Sequence, residues 1–288
     1  NPGEPLLVPA RHPAPRLEPV GQSRELGDAQ RALDVREPIV EAQLVLLVVP
    51  RAIVPGELGR IPEMWEVAAR ARESAERLQF PYGLLVLDTL EVPWLAMAGR
   101  FDEAEERLER VGRLTQDMSM RQADDAWAGA LITLRLWQGR TDETVPVMYA
   151  FEGGPMPVTP TLLTFLLRGG RAEEARAHAE THPLRIVDPD WMAMLNWGCA
   201  AEAALGLGDR AVAEQVYAVL APYAGRAICA GSGNNMGPVD AALAQAAAAV
   251  GDLELAARHA DDALRLMDEW RIPLAAQWLR DQRDRYGF

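Results

Sequence analysis

Few residues in this 288-residue chain have types and spacings that could do chemistry. There is no lysine, so all 29 cations are arginine. That removes a P-loop lysine, a Schiff-base lysine and a lysine general base. The stretch that looks most functional is Gly231-Ser232-Gly233-Asn234-Asn235-Met236-Gly237-Pro238. Three glycines ahead of a helix can form a nest of backbone N–H groups for an anion. No strand pattern precedes the stretch, and its glycine spacing departs from the dinucleotide fingerprint. It reads as a structural loop closing the last two units, with Asn234 and Asn235 as its best polar ligand candidates.

His178 and His182 stand four apart on an expected helix, a spacing that can hold a metal. No cysteine or acidic third ligand is evident, and Pro183 ends the helix beside His182, so they read as surface or end-of-helix histidines and no metal is assigned. Cys199 and Cys229 are the only cysteines, too few for a disulfide framework, and read as reduced core thiols. No serine stands in a nucleophile elbow and no carboxylate pair stands out from the solvated faces, which argues against an enzyme. No cofactor is implied.

Eight tryptophans are many for this length, and several fall on helices expected to line an inner surface. Trp94, Trp127 and Trp191 are candidate anchors for a peptide or apolar ligand, with Asn196 on the helix that Trp191 opens. The competing reading of the same tryptophans is packing between helices.

The elements that position these residues follow a recurring phrase. An apolar run meets a glycine, a charged residue follows, and five positions past the glycine sits a small residue. Leu205-Gly206-Leu207-Gly208-Asp209 leads to Ala213; Gly99 leads to Ala104, Gly139 to Thr144, Gly170 to Ala175 and Gly251 to Ala256. Weaker copies run from Gly27 to Ala32 and from Gly59 to Met64. The seven glycines are spaced by 32, 40, 40, 31, 38 and 43 residues, the period of a repeat array. A glycine can end the first helix of a pair in the left-handed conformation. Acidic residues such as Asp102 and Glu103 suit the start of the second helix, and the small residue lets that helix fold back closely. The predicted fold is all-α: a right-handed superhelical solenoid of degenerate tetratricopeptide-like helix pairs.

Residues 1–20 hold six prolines and read as a linker or strap, followed by a helical-repeat domain over 21–288. Helices are expected at 23–35, 38–49, 62–78, 82–98, 102–114, 122–138, 142–150, 161–168, 172–181, 191–205, 210–220, 239–250 and 254–270, with a capping helix at 273–286. Residues 222–238 read as a long irregular connection, and no segment alternates convincingly as a strand.

A net charge of -13 argues against direct nucleic-acid contact and against a basic membrane-binding face. No apolar run reaches the length of a membrane span. The absence of an initiator methionine and of a signal peptide suggests a piece of something larger or a processed product, and a cytoplasmic location.

From Asp190-Trp191 through Ala200-Ala201-Glu202, Leu205–Asp209, Ala213 and Tyr217, the chain resembles the C-terminal helical-repeat region of large bacterial regulatory ATPases. Leu220-Ala221-Pro222-Tyr223, Gly237-Pro238-Val239, and Gly251 followed by Ala256, Ala257, His259 and Ala263-Leu264 extend the match, and the repeat phrases carry it back to about residue 80. This region occurs in LuxR/MalT-like transcriptional activators, in actinobacterial antibiotic-pathway regulators and behind some adenylate-cyclase and ATPase modules. The resemblance implies a non-enzymatic sensor that binds a small effector or partner segment on its concave face. It would relay that state to the ATPase or DNA-binding domains of the same regulator, or to partner proteins. The other reading is a free-standing scaffold that assembles other proteins.

Overall fold

The computed structural model describes residues 53–288, apart from 119–120, 153, 155–156 and 187 and the side chains of 117–124. The expected strap at 1–20, the helices at 23–35 and 38–49, His12 and the first repeat glycine, Gly27, lie outside the described residues. The described chain is mostly helical. In order it forms α1 (Ile61–Arg77), α2 (Pro81–Met97), α3 (Phe101–Met118), α4 (Arg121–Trp137), a 3-10 turn (Thr141–Glu143), α5 (Val145–Phe151) and α6 (Thr159–Arg168). There follow α7 (Ala172–Thr181), α8 (Ala193–Leu207), α9 (Arg210–Leu220), a second 3-10 turn (Ala221–Tyr223), β1 (Ala227–Ala230), β2 (Asn234–Pro238), α10 (Val239–Val250), α11 (Leu253–Glu269) and α12 (Pro273–Tyr286).

The glycine phrase sets the helix ends. Gly59, Gly99, Gly139, Gly170, Gly208 and Gly251 all take φ between 71° and 88°, the left-handed region where a Cβ would be penalised. After Gly208 and Gly251, Asp209 and Asp252 cap the next helices, their carboxylates accepting from the backbone N–H of Val212 and Leu255 at 3.1 and 3.0 Å. Five positions past the glycines, Met64, Ala104, Thr144, Ala175, Ala213 and Ala256 are all buried. One expected helix divides. The segment predicted at 142–150 becomes a 3-10 turn and then α5, because Pro146 offers no N–H and suits only a first turn.

Most successive helices pack against one another, and α2 also touches α4, α6 touches α8, and α8 touches α10. The row does not stay open. α12 returns to α2, and one core runs from Ile61 and Met64 of α1 through Trp94 to Ala260, Met267, Trp270 and Leu279.

The connection at 222–238, expected to be irregular, contains an antiparallel hairpin. Cys229 pairs with Asn235 and Ala230 with Asn234, and a bulge separates that pairing from Ala227 opposite Pro238. Four- and five-residue strands holding Gly, Pro and Asn carry almost no strand signal; packing makes this one. β2 lies against α2, α4, α8, α10 and α11, so the chain's own hairpin fills the space between these helices. Two glycines allow that approach. A Cβ on Gly198 would stand 2.8 Å from Ile228 of β1, and one on Gly233 would stand 2.9 Å from the backbone of Ala126 and Ala130. Among the described residues, no helix is long and apolar enough to cross a membrane.

Candidate functional site

Where the first helices meet the turn between α11 and α12, the packing leaves a cavity of about 630 Å³. Its wall combines the indoles of Trp65, Trp94 and Trp270 with the arginines Arg72, Arg107 and Arg271. Trp94 and Trp270 are 2% and 3% exposed and meet edge to face, which fixes the floor. Arg271, in the left-handed region at φ 57°, shapes the turn on the opposite wall.

The charge around this cavity is organised by two acids within α2. Asp88 and Glu91 fall in an otherwise apolar stretch and are 1% and 6% exposed. Buried carboxylates must be paired, and three arginines from two neighbouring helices reach them. Arg72 of α1 donates to Asp88 Oδ1 and Glu91 Oε1 at 2.8 Å each. From α3, Arg107 Nε lies 2.8 Å from Glu91 Oε2 and Arg110 Nε donates to Asp88 Oδ2 at 3.0 Å. With Arg100, Arg271, Glu103 and Glu269 of the same wall, five cations stand against four anions, an excess of one in a chain that is strongly acidic overall. Planar guanidinium groups beside aromatic faces suit a ligand with a carboxylate or phosphate on a flat apolar body.

A second cavity, of about 420 Å³, lies along α12. Here Arg168 makes a bidentate pair with Glu202 at 2.7 and 2.8 Å. Its guanidinium carbon also sits 4.8 Å from the Trp137 ring and 4.1 Å from that of Trp278. The cation there is already held by two indoles and at its fork, so this arrangement joins α4, α6, α8 and α12 rather than offering a free group.

The six residues predicted from sequence are dispersed. Trp94 belongs to the first cavity. Asn234 is held by Thr133 Oγ1, which donates to its Oδ1 at 3.3 Å, and by the Ala230 carbonyl. Asn235 is 2% exposed; its Nδ2 donates to Cys229 Sγ at 2.9 Å and its Oδ1 accepts from Gly237 N at 2.8 Å. These contacts bind the hairpin to itself and to α4, and with Trp94 they border a void of only about 10 Å³. Trp127 is partly buried against the core. Asn196 is 1% exposed on α8, and its Nδ2 has no hydrogen-bond partner among the described residues. Trp191 stands apart at 65% exposed, just ahead of α8.

Both thiols are free; Cys199 is buried and Cys229 half-buried. Burial pushes the Cys199 thiol up to about 12, and burial likewise raises that of Cys229. Neither is a nucleophile at neutral pH.

Sequence reasoning missed the arginine–carboxylate cluster, although acids inside the apolar run Leu84–Leu95 were a visible signal. It also found no third partner for the two histidines, and the structure supplies one. Glu152, at the end of α5, places Oε1 2.7 Å from His178 Nε2, and the His178 and His182 rings stack 4.5 Å apart. No family model, curated protein or solved structure matches the chain.

Proposed function

We propose that this chain is a non-enzymatic recognition domain whose cavity between the first and last helices takes a small anion with a flat apolar body. The observation that carries this reading is the joint presence of Trp65, Trp94, Trp270 and a cluster of arginines around about 630 Å³, a volume typical of small-molecule sites. The wall is contributed by α1–α3 on one side and the α11–α12 turn on the other. A ligand seated there touches both ends of the helical row and favours the conformation in which they are joined, by its differential affinity for it.

The helix pairs, on this reading, are degenerate tetratricopeptide-like units of a right-handed solenoid, drawn closed around their own hairpin. The spacing of the glycine phrase and the buried residue five positions after each described glycine, small in every case but Met64, support it. The resemblance of residues from about 80 onward to regulatory-ATPase repeat regions supports a place in a bacterial transcriptional regulator in the cytoplasm. Joining or parting of the end helices would be the signal passed to neighbouring domains.

The test is a thermal-shift screen with aryl carboxylates and aryl phosphates, repeated on Trp65→Ala and Arg271→Ala. The reading expects at least one such anion to raise the melting temperature, and both variants to lose that shift. A shift retained by both variants, or given equally by inorganic phosphate, would move the ligand elsewhere or remove it.

A further inference from the structure

We propose that Glu152, His178 and His182 form a binding site for a divalent transition-metal ion of the Zn2+ type, which clips the end of α5 to the end of α7. This inference is independent of the cavity described above. One ligand atom from each residue lies within 4.8 Å of the other two. Imidazole and carboxylate are the donor set that Zn2+ takes in sites with two histidines and one glutamate, leaving a further position for water.

The local structure builds this site. α7 presents His178 and His182 one turn apart, and Glu152 reaches them from the residue that ends α5. Glu152 and His178 are 13% and 9% exposed in their side chains, so the pair is largely withdrawn from water, while His182 is exposed. Neighbouring groups orient each donor. Thr159 Oγ1 donates to Glu152 Oε1 at 3.2 Å, and the Tyr149 ring meets His178 edge-on at 5.4 Å. Thr181 Oγ1 lies 2.9 Å from His182 Nδ1, which leaves the Nε2 of His182 for the metal.

The 2.7 Å contact between His178 Nε2 and Glu152 Oε1 is a hydrogen bond through one proton. An ion taking that proton's place needs the two atoms about 3.4 Å apart, from Zn–N and Zn–O lengths near 2.1 Å in a tetrahedron. That is a movement of roughly 0.7 Å from the 2.7 Å contact. Rotation of the exposed His182 side chain would bring its ligand atom, already within 4.8 Å of the other two, to the same ion.

The experiment is a calorimetric titration of the full chain with Zn2+, with Co2+ absorption as a second readout of coordination. The expected result is saturable binding of one ion per chain, a Co2+ spectrum of low coordination number, and at least a tenfold loss of affinity in both Glu152→Gln and His182→Ala. His182 is exposed, so its variant folds and separates lost ligation from lost structure. Absence of saturable Zn2+ binding, or unchanged affinity in both variants, would overturn the proposal.

Discussion

Trp94 of α2 and Trp270 at the end of α11 meet edge to face, their ring centroids 5.8 Å apart and their planes at 78°. This contact joins the early and late helices in one core and forms the floor of the candidate cavity. Removing either ring costs buried area and leaves a hole. Trp270→Ala is expected to destabilise the fold by about 3–5 kcal/mol in urea titration. A double-mutant cycle with Trp94→Ala should show a coupling of about 0.5–1.5 kcal/mol. Additive losses would mean that the two rings do not support each other.

The Arg168–Glu202 pair gives a second prediction. Their side chains are 9% and 7% exposed, so neither charge can be left without its partner cheaply. Arg168→Ala should cost about 3–5 kcal/mol, and adding Glu202→Ala should restore part of that loss. Chemical denaturation of the single and double variants measures it. A double variant that is weaker by the full sum would contradict the pairing.

Backbone conformation gives a third, with opposite signs at two turns. Gln79 adopts φ 50° between α1 and α2, and Arg271 φ 57° between α11 and α12, where the turns of the glycine phrase use glycine. Gln79→Gly should therefore stabilise by about 1 kcal/mol. A Cβ at Gly170 meets nothing within 4 Å, so Gly170→Ala isolates the backbone penalty and should cost about 1–2 kcal/mol. Denaturation midpoints of the two variants should move in opposite directions.

Thiol reactivity gives a fourth. With the Cys199 thiol pushed up to about 12 by burial, the thiolate that a disulfide reagent needs is almost absent near neutral pH. Ellman's reagent at about pH 8, close to the ordinary thiol value, should label neither cysteine in the folded chain and both after unfolding in guanidinium. Rapid labelling of the native protein at Cys199 would contradict its burial.

The helices were legible because the signals that end them are local. Glycine in a left-handed turn and a small residue five positions on are read within one segment, and α7, α9, α10 and α12 fall on the predicted residues. The hairpin was not legible. Ala227–Ala230 and Asn234–Pro238 become strands only because α2, α4, α8, α10 and α11 surround them, and no neighbour is visible in a linear string. Glu152 escaped for the same reason: it belongs to the end of another helix, and only the fold brings it to His178. The cavity was half legible. Asp88 and Glu91 announce themselves as charges in an apolar helix, but Arg72, Arg107 and Arg110 look like ordinary surface cations until α1 and α3 pack beside α2.

The central claim is that recognition occurs where α1–α3 meet the α11–α12 turn. Fluorine NMR of the chain labelled with 5-fluorotryptophan, titrated with an aryl carboxylate, tests it most directly. Resonances assigned by substitution to Trp65, Trp94 and Trp270 should shift saturably, while that of the exposed Trp191 stays in place. Saturable movement of Trp191, or of Trp137 and Trp278, with the three cavity indoles unmoved would contradict the account.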